Sequence, residues 1–198
     1  MHALSLAELG ILDWIAAHCH NGFLDGLMPF ISSLGNGGLI WIALGLGILL
    51  FHRGQRSTGL QVLLALLLSL LLCNLLLKNG VDRIRPCELN RAAELLIPCP
   101  GDPSFPSGHT SASFAAAVVL LLRRWRGRWA ALVLAVLIAF SRLYLYVHFP
   151  TDVLGGILVG SLCGWLAVTG FQKWIAPHWP EGRDGTQRPS RHSNTPLV

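Results

Sequence analysis

Residues 63–72 read LLALLLSLLL, and this stretch decides the class of the fold. It presents no polar face to water and lies within a segment close to the ~20 apolar residues that a bilayer requires. Of the 198 residues in the chain, 53% are hydrophobic and 13% are charged, whereas soluble domains are about 25% charged. The sequence therefore predicts an all-α, polytopic membrane helix bundle.

Apolar segments of spanning character recur along the chain. Five of them are predicted to cross the membrane, at residues 38–51, 60–77, 108–122, 129–147 and 153–174. A further segment at 23–34 is apolar but short, contains Pro29 and ends in a Gly-rich turn, so whether it spans stays open. The prediction is thus five to six transmembrane helices.

The N-terminal residues 5–18 have a different character. Leucine and isoleucine recur there at helical spacing, with Glu8 and Asp13 between them, which is typical of an amphipathic or half-buried helix. The N-terminus has neither the basic region nor the cleavage site of a signal peptide, so this helix is expected to stay on the mature chain.

The basic residues indicate how the chain lies in the membrane. If the turns at Arg53 and Arg123 share one side, ten of the fifteen lysines and arginines lie there: Arg53, Arg56, Arg123, Arg124, Arg126, Arg128, Lys173, Arg183, Arg188 and Arg191. Short cytoplasmic loops are enriched in such residues. The proline-rich loop at 78–107 is therefore predicted to face outward from the cell membrane, within a single domain at 1–177 that precedes a disordered cytoplasmic tail at 178–198.

The orientation of the chain in the membrane also explains its net charge of +5. The basic residues are scattered between apolar spans and form no stripe interleaved with aromatic residues, so no nucleic-acid partner is predicted. Two of the five cysteines, Cys87 and Cys99, lie in the outer loop. Both a disulfide and two free thiols are possible there, and the oxidising outer compartment favours the disulfide.

Three polar clusters lie at the outward ends of three different spans. They are Lys78 with Arg85-Pro86, then Pro106-Ser107-Gly108-His109, then Ser141-Arg142 with His148 and Asp152. Charged residues this close to a bilayer need a partner or a function. The order of the spans brings all three clusters to one membrane face, where a single pocket can contain them.

The second cluster is suited to bind an anion. Ser107 and Gly108 precede an apolar run, so their backbone N–H groups are predicted at the exposed start of a helix, where the dipole favours negative charge. With the positive charges of Lys78, Arg85 and Arg142, this site matches the equatorial oxygens of a phosphoryl group.

Two histidines complete a catalytic hypothesis. Asp152 follows His148 by four residues, so its carboxylate can hold one ring nitrogen and leave the other as a nucleophile. His109, on another helix, is then the general acid for the leaving oxygen. No further metal-ligand spacing is present, and the basic surroundings would repel a cation, so no metal is predicted.

Each of these residues taken singly has an ordinary explanation. Lys78 and Arg85 can be interfacial anchors, Ser107 an N-cap and Asp152 an acid that complements the helix dipole. Their joint occurrence on one face favours function. Four loop charges lack that support and are interpreted as solvated: Arg83, Glu88, Arg91 and Glu94.

The three clusters together resemble the signature of the type 2 phosphatidic acid phosphatase superfamily, which also includes soluble vanadium-dependent haloperoxidases. Six residues separate Lys78 from Arg85-Pro86, five separate Arg142 from His148, and three separate His148 from Asp152. The small size resembles bacterial members that act on phosphatidylglycerophosphate or undecaprenyl diphosphate.

The resemblance implies a lipid phosphatase with defined residue roles. His148 would form a phosphohistidine, Asp152 would orient it, and His109 would protonate the leaving group and later activate water. It also implies that Lys78, Arg85, Ser107, Gly108 and Arg142 hold the phosphate, and that no metal or other cofactor is needed. A lipid-phosphate binding or transport protein that uses the same pocket without chemistry is the alternative, and oligomeric state is left open.

Overall fold

The computed structural model of the protein describes residues 2–179, with side chains from residue 5 onward. The part of the chain that it describes is helical and has no strand, which confirms the all-α prediction. Most of the predicted tail, from residue 180 on, lies outside the described residues.

Nine α-helices are described, two of them only four residues long. They are α1 (His2–Cys19), α2 (Gly22–Leu34), α3 (Leu39–Phe51), α4 (Arg56–Ser69), α5 (Lys78–Val81), α6 (Pro86–Leu89), α7 (Gly108–Leu122), α8 (Arg128–Tyr144) and α9 (Pro150–Gly170). The π-helical residues Leu70–Leu77 join α4 to α5 without a break.

Two helices are long and apolar enough to cross a bilayer. They are the helical stretch Arg53–Leu89, which includes α4 to α6, and the stretch Pro150–His178. The pair formed by α2 and α3 passes the same test as one span, although the pair is bent by 47°. Helix α7 is apolar but shorter. The structure therefore provides two to three candidate spans, and the total of five to six stays a prediction.

The tightest helix crossing positions the site. Gly156, Gly160 and Gly164 form one face of α9, and a Cβ atom on them would lie 2.7, 2.2 and 2.7 Å from backbone oxygens of α7. The facing residues are Ser107, Ser111 and Ala115. Small residues at a four-residue interval let two helix backbones approach closely in a membrane. This contact fixes the start of α9 beside the start of α7.

The opposite end of the bundle brings two basic turns together. The Arg123 guanidinium donates to Thr58 Oγ1 and Ser57 Oγ, each at 3.4 Å. The turns that precede α4 and follow α7 therefore share one end, as the interpretation of the basic residues assumes. The catalytic motifs lie at the other end.

The N-terminal helix α1 packs on the turn between α8 and α9. Its Leu12 is fully buried against Tyr146 and Phe149, while Trp14 is 58% exposed. The Tyr146 hydroxyl donates to Asp13 at 2.6 Å. Glu8 is buried too. The acids that interrupt the apolar pattern of α1 thus make contacts with the catalytic end of the chain.

Candidate active site

One cavity of about 490 Å³ gathers residues from all three motifs. Its polar end is lined by Lys78, Arg85, Gly108, His109, Arg142 and His148. Each comes from the end of an element: Lys78 opens α5, Gly108 opens α7, and Arg142 lies in the last turn of α8. Helix ends meet at one face of the bundle because the helices cross the same layer, as the sequence predicts.

His148 lies in the turn before α9 and is 1% exposed. Its Nε2 is 3.1 Å from Arg85 Nη1, and a guanidinium nitrogen can only donate. Nε2 is therefore the nitrogen with the lone pair, and Nδ1 carries the proton 3.6 Å from Asp152 Oδ2. This tautomer directs the nitrogen with the lone pair toward the cavity.

Electrostatics keep this imidazole neutral. Burial, with the positive charges of Arg85 and Arg142, lowers the pKa of His148 to about 3, although Asp152 acts in the opposite direction. A lowered pKa means that the ring stays unprotonated at any pH well above 3. His148 thus keeps an unprotonated nitrogen across the neutral range.

Asp102 contacts both cations of the first polar cluster, Lys78 and Arg85. Its carboxylate accepts from Lys78 Nζ and from Arg85 Nη2 at 2.8 Å, yet its side chain remains 52% exposed. Burial alone would raise the pKa of this carboxyl, but Lys78 and Arg85 outweigh it and hold the pKa at about 2. The loop thus places an anion where the sequence predicts a phosphate.

Arg142 is bound differently. It is 3% exposed, and its Nη1 donates to Ser32 Oγ on α2. Within the described residues its buried Nε has no hydrogen-bond partner. An unpaired buried donor on a charged group costs free energy, so a bound anion that accepts from Nε would stabilise this side chain.

The start of α7 is arranged around two small residues. Ser107 is fully buried. Its hydroxyl accepts from Thr110 Oγ1 at 3.0 Å, which places it behind the cavity wall as a helix cap. Gly108 lines the cavity, and a Cβ atom there would lie 2.9 Å from Asn74 Oδ1. A larger residue at this position would displace the Asn74 side chain.

His109 contacts the turn between α2 and α3. Its Nε2 lies 2.9 Å from Asn36 Oδ1, and a carboxamide oxygen accepts, so Nε2 carries a proton. A Cβ atom on Gly35 would lie 2.9 Å from the His109 ring. The Gly-rich turn that the sequence marks only as a break thus positions the second histidine.

The other end of the cavity is apolar. It is lined by Ile42 of α3 and by Leu63, Leu66, Leu67 and Leu70 of α4 and its continuation. Leu67 and Leu70 are about half exposed, so the cavity opens between these two helices onto the surface that faces lipid in a membrane. One continuous cavity therefore joins a cationic end to an apolar end.

Several contacting residues are not predicted from the sequence. Ser104 donates to Asp152 Oδ2 at 2.5 Å. The interpretation of Arg83 as a solvated loop charge is wrong: its side chain is 12% exposed and its Nη1 donates to Asp152 Oδ1 at 2.7 Å. Its position two residues before Arg85 is the only local signal. Asp102 lies in a Pro-Gly-Asp-Pro turn, which by itself indicates only a turn.

The loop at 78–107 is held by a disulfide. Cys87 and Cys99 are bonded, and their Cα atoms are 6.0 Å apart. Cys87 lies in α6, directly after the Arg85-Pro86 motif. Among the residues from 2 to 179, no group of three or more His, Cys, Asp or Glu side chains is placed to hold a metal ion.

Asp102→Asn is expected to strengthen inhibition by orthophosphate and vanadate, lowering each Ki by ~10-fold, which corresponds to ~1.4 kcal/mol. The carboxylate competes with an incoming anion for Lys78 and Arg85, and the amide does not. Because the pKa of Asp102 is about 2, the effect should be the same from pH 5 to pH 8. Asp82→Asn, an exposed change in the same loop, is the control. An unchanged or higher Ki for Asp102→Asn would refute the competition.

Known proteins with the same features fall in one family. A sequence profile of the PAP2 superfamily matches residues 58–176. The undecaprenyl-diphosphatase of Sulfolobus acidocaldarius is 35% identical over 146 residues, which cover 73% of this chain and 69% of that relative.

Two solved structures share the fold. A transmembrane PAP2-type phosphatidylglycerolphosphate phosphatase from Bacillus subtilis matches with a TM-score of 0.70 and 30% identity, over 88% of this chain and 89% of that chain. LpxE of Aquifex aeolicus matches with a TM-score of 0.71 and 29% identity, over 81% and 94%. The resemblance inferred from the three motifs is confirmed. These relatives are named as phosphatases, and this chain therefore belongs to the PAP2 superfamily.

Proposed function

We propose that this chain hydrolyses a phosphomonoester or diphosphate of a lipid through a phosphohistidine at His148. The observation that carries the proposal is the two-ended cavity, in which a cationic end with a neutral histidine continues into an apolar end that opens between α3 and α4. A lipid phosphate has the matching order of parts, a charged head on an apolar chain. The undecaprenyl and phosphatidylglycerol substrates named for relatives fit this description.

The first step transfers the phosphoryl group to the enzyme. His148 Nε2 forms a bond to phosphorus while the bond from phosphorus to the leaving oxygen breaks. The proton on Nδ1 remains shared with Asp152, whose negative charge compensates the ring. His109, as the imidazolium that the bound phosphate anion favours, gives one proton to the leaving oxygen and becomes a neutral imidazole. The lipid alcohol thus departs neutral, or the lipid monophosphate departs with one negative charge fewer.

The second step releases phosphate. His109, now deprotonated, takes a proton from water as the water oxygen attacks phosphorus, and the bond to His148 Nε2 breaks. Lys78, Arg85 and Arg142 hold the equatorial oxygens in both steps. Gly108 contributes the start of the helix. Ser107 donates its hydroxyl hydrogen to the phosphate, since the hydroxyl oxygen acts only as the acceptor in its contacts with Thr110.

A panel of lipids tests the proposal. Purified protein in EDTA should release phosphate from phosphatidylglycerophosphate, phosphatidic acid, undecaprenyl phosphate or undecaprenyl diphosphate. The preferred lipid should exceed a water-soluble short-chain analogue in kcat/KM by ~10-fold or more, because the apolar end buries part of the chain. No release from any lipid, or equal use of the short-chain analogue, would refute lipid specificity. No observation favours binding without chemistry, since such a protein needs no paired His148 and His109.

The remaining features of the proposal concern the membrane. We propose five to six spans within a single domain at residues 1–177, a cytoplasmic tail at 178–198 and an active site that faces outward from the cell membrane. The support is the excess of arginine at the end of the bundle where Arg123 meets Ser57, opposite the catalytic cavity.

Cysteine labelling in intact cells tests the orientation. In a Cys19→Ser background, an impermeant maleimide should label Arg91→Cys, which lies in the outer loop. The same reagent should reach Arg126→Cys, an exposed position at the opposite end, only after the membrane is permeabilised. Labelling of Arg126→Cys and protection of Arg91→Cys in intact cells would reverse the orientation.

A further inference from the structure

Arg83 joins the catalytic aspartate to the N-terminal helix. Its Nη1 donates to Asp152 Oδ1 and to Thr151 Oγ1, each at 2.7 Å. Its Nη2 forms an ion pair with Glu8 Oε2 at 2.5 Å, and its guanidinium carbon lies 4.1 Å from the centre of the Phe149 ring. This one side chain therefore contacts the residues that directly follow His148.

Glu8 completes the connection from α1. Its side chain is 5% exposed, and its second oxygen, Oε1, accepts from the Thr151 backbone N–H at 2.8 Å. That N–H belongs to the first turn of α9, where a helix has no partner of its own. Glu8 lies outside residues 58–176, the part that matches the family profile.

The other oxygen of Asp152 is held as well. Oδ2 accepts from Ser104 Oγ at 2.5 Å and from the Phe149 backbone N–H at 2.8 Å, and lies 3.6 Å from His148 Nδ1. With Arg83 on Oδ1, the carboxylate is fixed at both ends and cannot rotate away from the imidazole. A carboxylate held this way sets the angle of the ring it faces.

We propose that Glu8 and Arg83 are a positioning pair that fixes Asp152 and thereby directs His148 Nε2 at the phosphorus. This inference rests on the proposed function. Neither side chain lines the cavity, so both act through Asp152 rather than on the substrate. A buried chain of three charges is weak as a source of stability, because desolvation offsets much of the attraction; orientation explains its presence better.

The pair also sets the basicity of the nucleophile. The charges that face Asp152 and His148 are Arg83 and Glu8 on one side and Arg85, Arg142 and Asp102 on the other. Removing the Arg83 charge leaves Asp152 less compensated, which favours protonation of the imidazole beside it. The acidic limb of the pH profile of kcat/KM should then move to higher pH.

The test compares Arg83→Met with Arg91→Met, an exposed arginine of the same loop. Arg83→Met should lower kcat by ~100-fold, the usual effect of a misdirected reacting group, with KM within about threefold of wild type and the acidic limb shifted upward. Arg91→Met should match wild type in all three. Arg83→Lys keeps the charge but not the fork, so kcat should fall by ~10-fold with the acidic limb unmoved.

A double-mutant cycle separates positioning from simple anchoring of α1. Glu8→Gln should lower kcat by ~10-fold alone and cause no further loss in the Arg83→Met background, because Glu8 acts through Arg83. Glu94→Gln is its control. If Arg83→Met does not fold, as judged by thermal unfolding in detergent, Arg83→Lys and Glu8→Gln decide the matter through their own kcat values.

Three results would overturn the positioning pair: kcat of Arg83→Met or Arg83→Lys equal to that of Arg91→Met, losses from Glu8 and Arg83 that add in full, or an unmoved acidic limb in Arg83→Met. His148→Ala in the same assay distinguishes failure of the proposed function from failure of the positioning pair. If His148→Ala retains turnover, the proposed function fails; if it is inactive while the Arg83 variants match their control, only the positioning pair fails.

Discussion

His148→Ala should lower phosphate release by ~10⁴-fold or more, as expected when a covalent nucleophile is removed. The imidazole is the group whose lone pair faces the cationic end of the cavity, since its Nδ1 proton is turned toward Asp152 and its Nε2 faces Arg85. The measurement is steady-state release of phosphate from the preferred lipid in detergent micelles, in the presence of EDTA.

His52→Ala is the control for this loss, because His52 is exposed at the far end of α3. The variant should retain wild-type turnover. His148→Ala should also lose inhibition by vanadate, which mimics the five-coordinate phosphorus bonded to Nε2. Turnover of His148→Ala within tenfold of wild type would show that another group attacks the phosphorus.

His109→Gln should lower turnover by ~10²- to 10⁴-fold, the usual contribution of a general acid and base. The loss should depend on the leaving group. A lipid alcohol needs the proton from His109, whereas nitrophenolate leaves without one, so p-nitrophenyl phosphate should still transfer its phosphoryl group to His148. The water attack that follows has no base, and the first turnover should appear as a burst of nitrophenol followed by a slow steady state.

The contrast between leaving groups is the diagnostic part of this result. Equal losses with the lipid and with p-nitrophenyl phosphate, and no burst, would contradict the role of His109 as acid and base. Asn36→Ala provides a related comparison, because Asn36 only orients the His109 ring through a 2.9 Å hydrogen bond. Its loss should be smaller than that of His109→Gln and should show the same dependence on the leaving group.

The positions of the helices follow from local sequence, and the structure places them near the predicted segments. Helix α7 begins at Gly108 and ends at Leu122, since an N-cap serine precedes an apolar run that the basic turn ends. Helix α8 ends at Tyr144 rather than Val147, because residues 145–149 form the turn that presents His148. Apolar periodicity does not detect such a turn inside a buried apolar stretch.

The motif residues could be grouped from sequence because each lies at a helix end, and helix ends on one side of a membrane must meet. The contacts that surround the motif residues could not be predicted from the sequence. Glu8 reaches Thr151 across 143 positions, and Ser32 reaches Arg142 across 110. Side chains of α1 and of α2 look like interruptions of an apolar pattern, and only the packed structure shows which buried groups they satisfy.

The most direct measurement is the capture of the phosphorylated enzyme. Protein mixed with undecaprenyl diphosphate or phosphatidylglycerophosphate, radiolabelled at the terminal phosphate, is quenched in alkali and digested. The label should be stable in base and lost in acid, carried by the peptide that contains His148, and absent from His148→Ala. An acid-stable label, a label on another peptide, or a label in His148→Ala would contradict a phosphohistidine intermediate at His148.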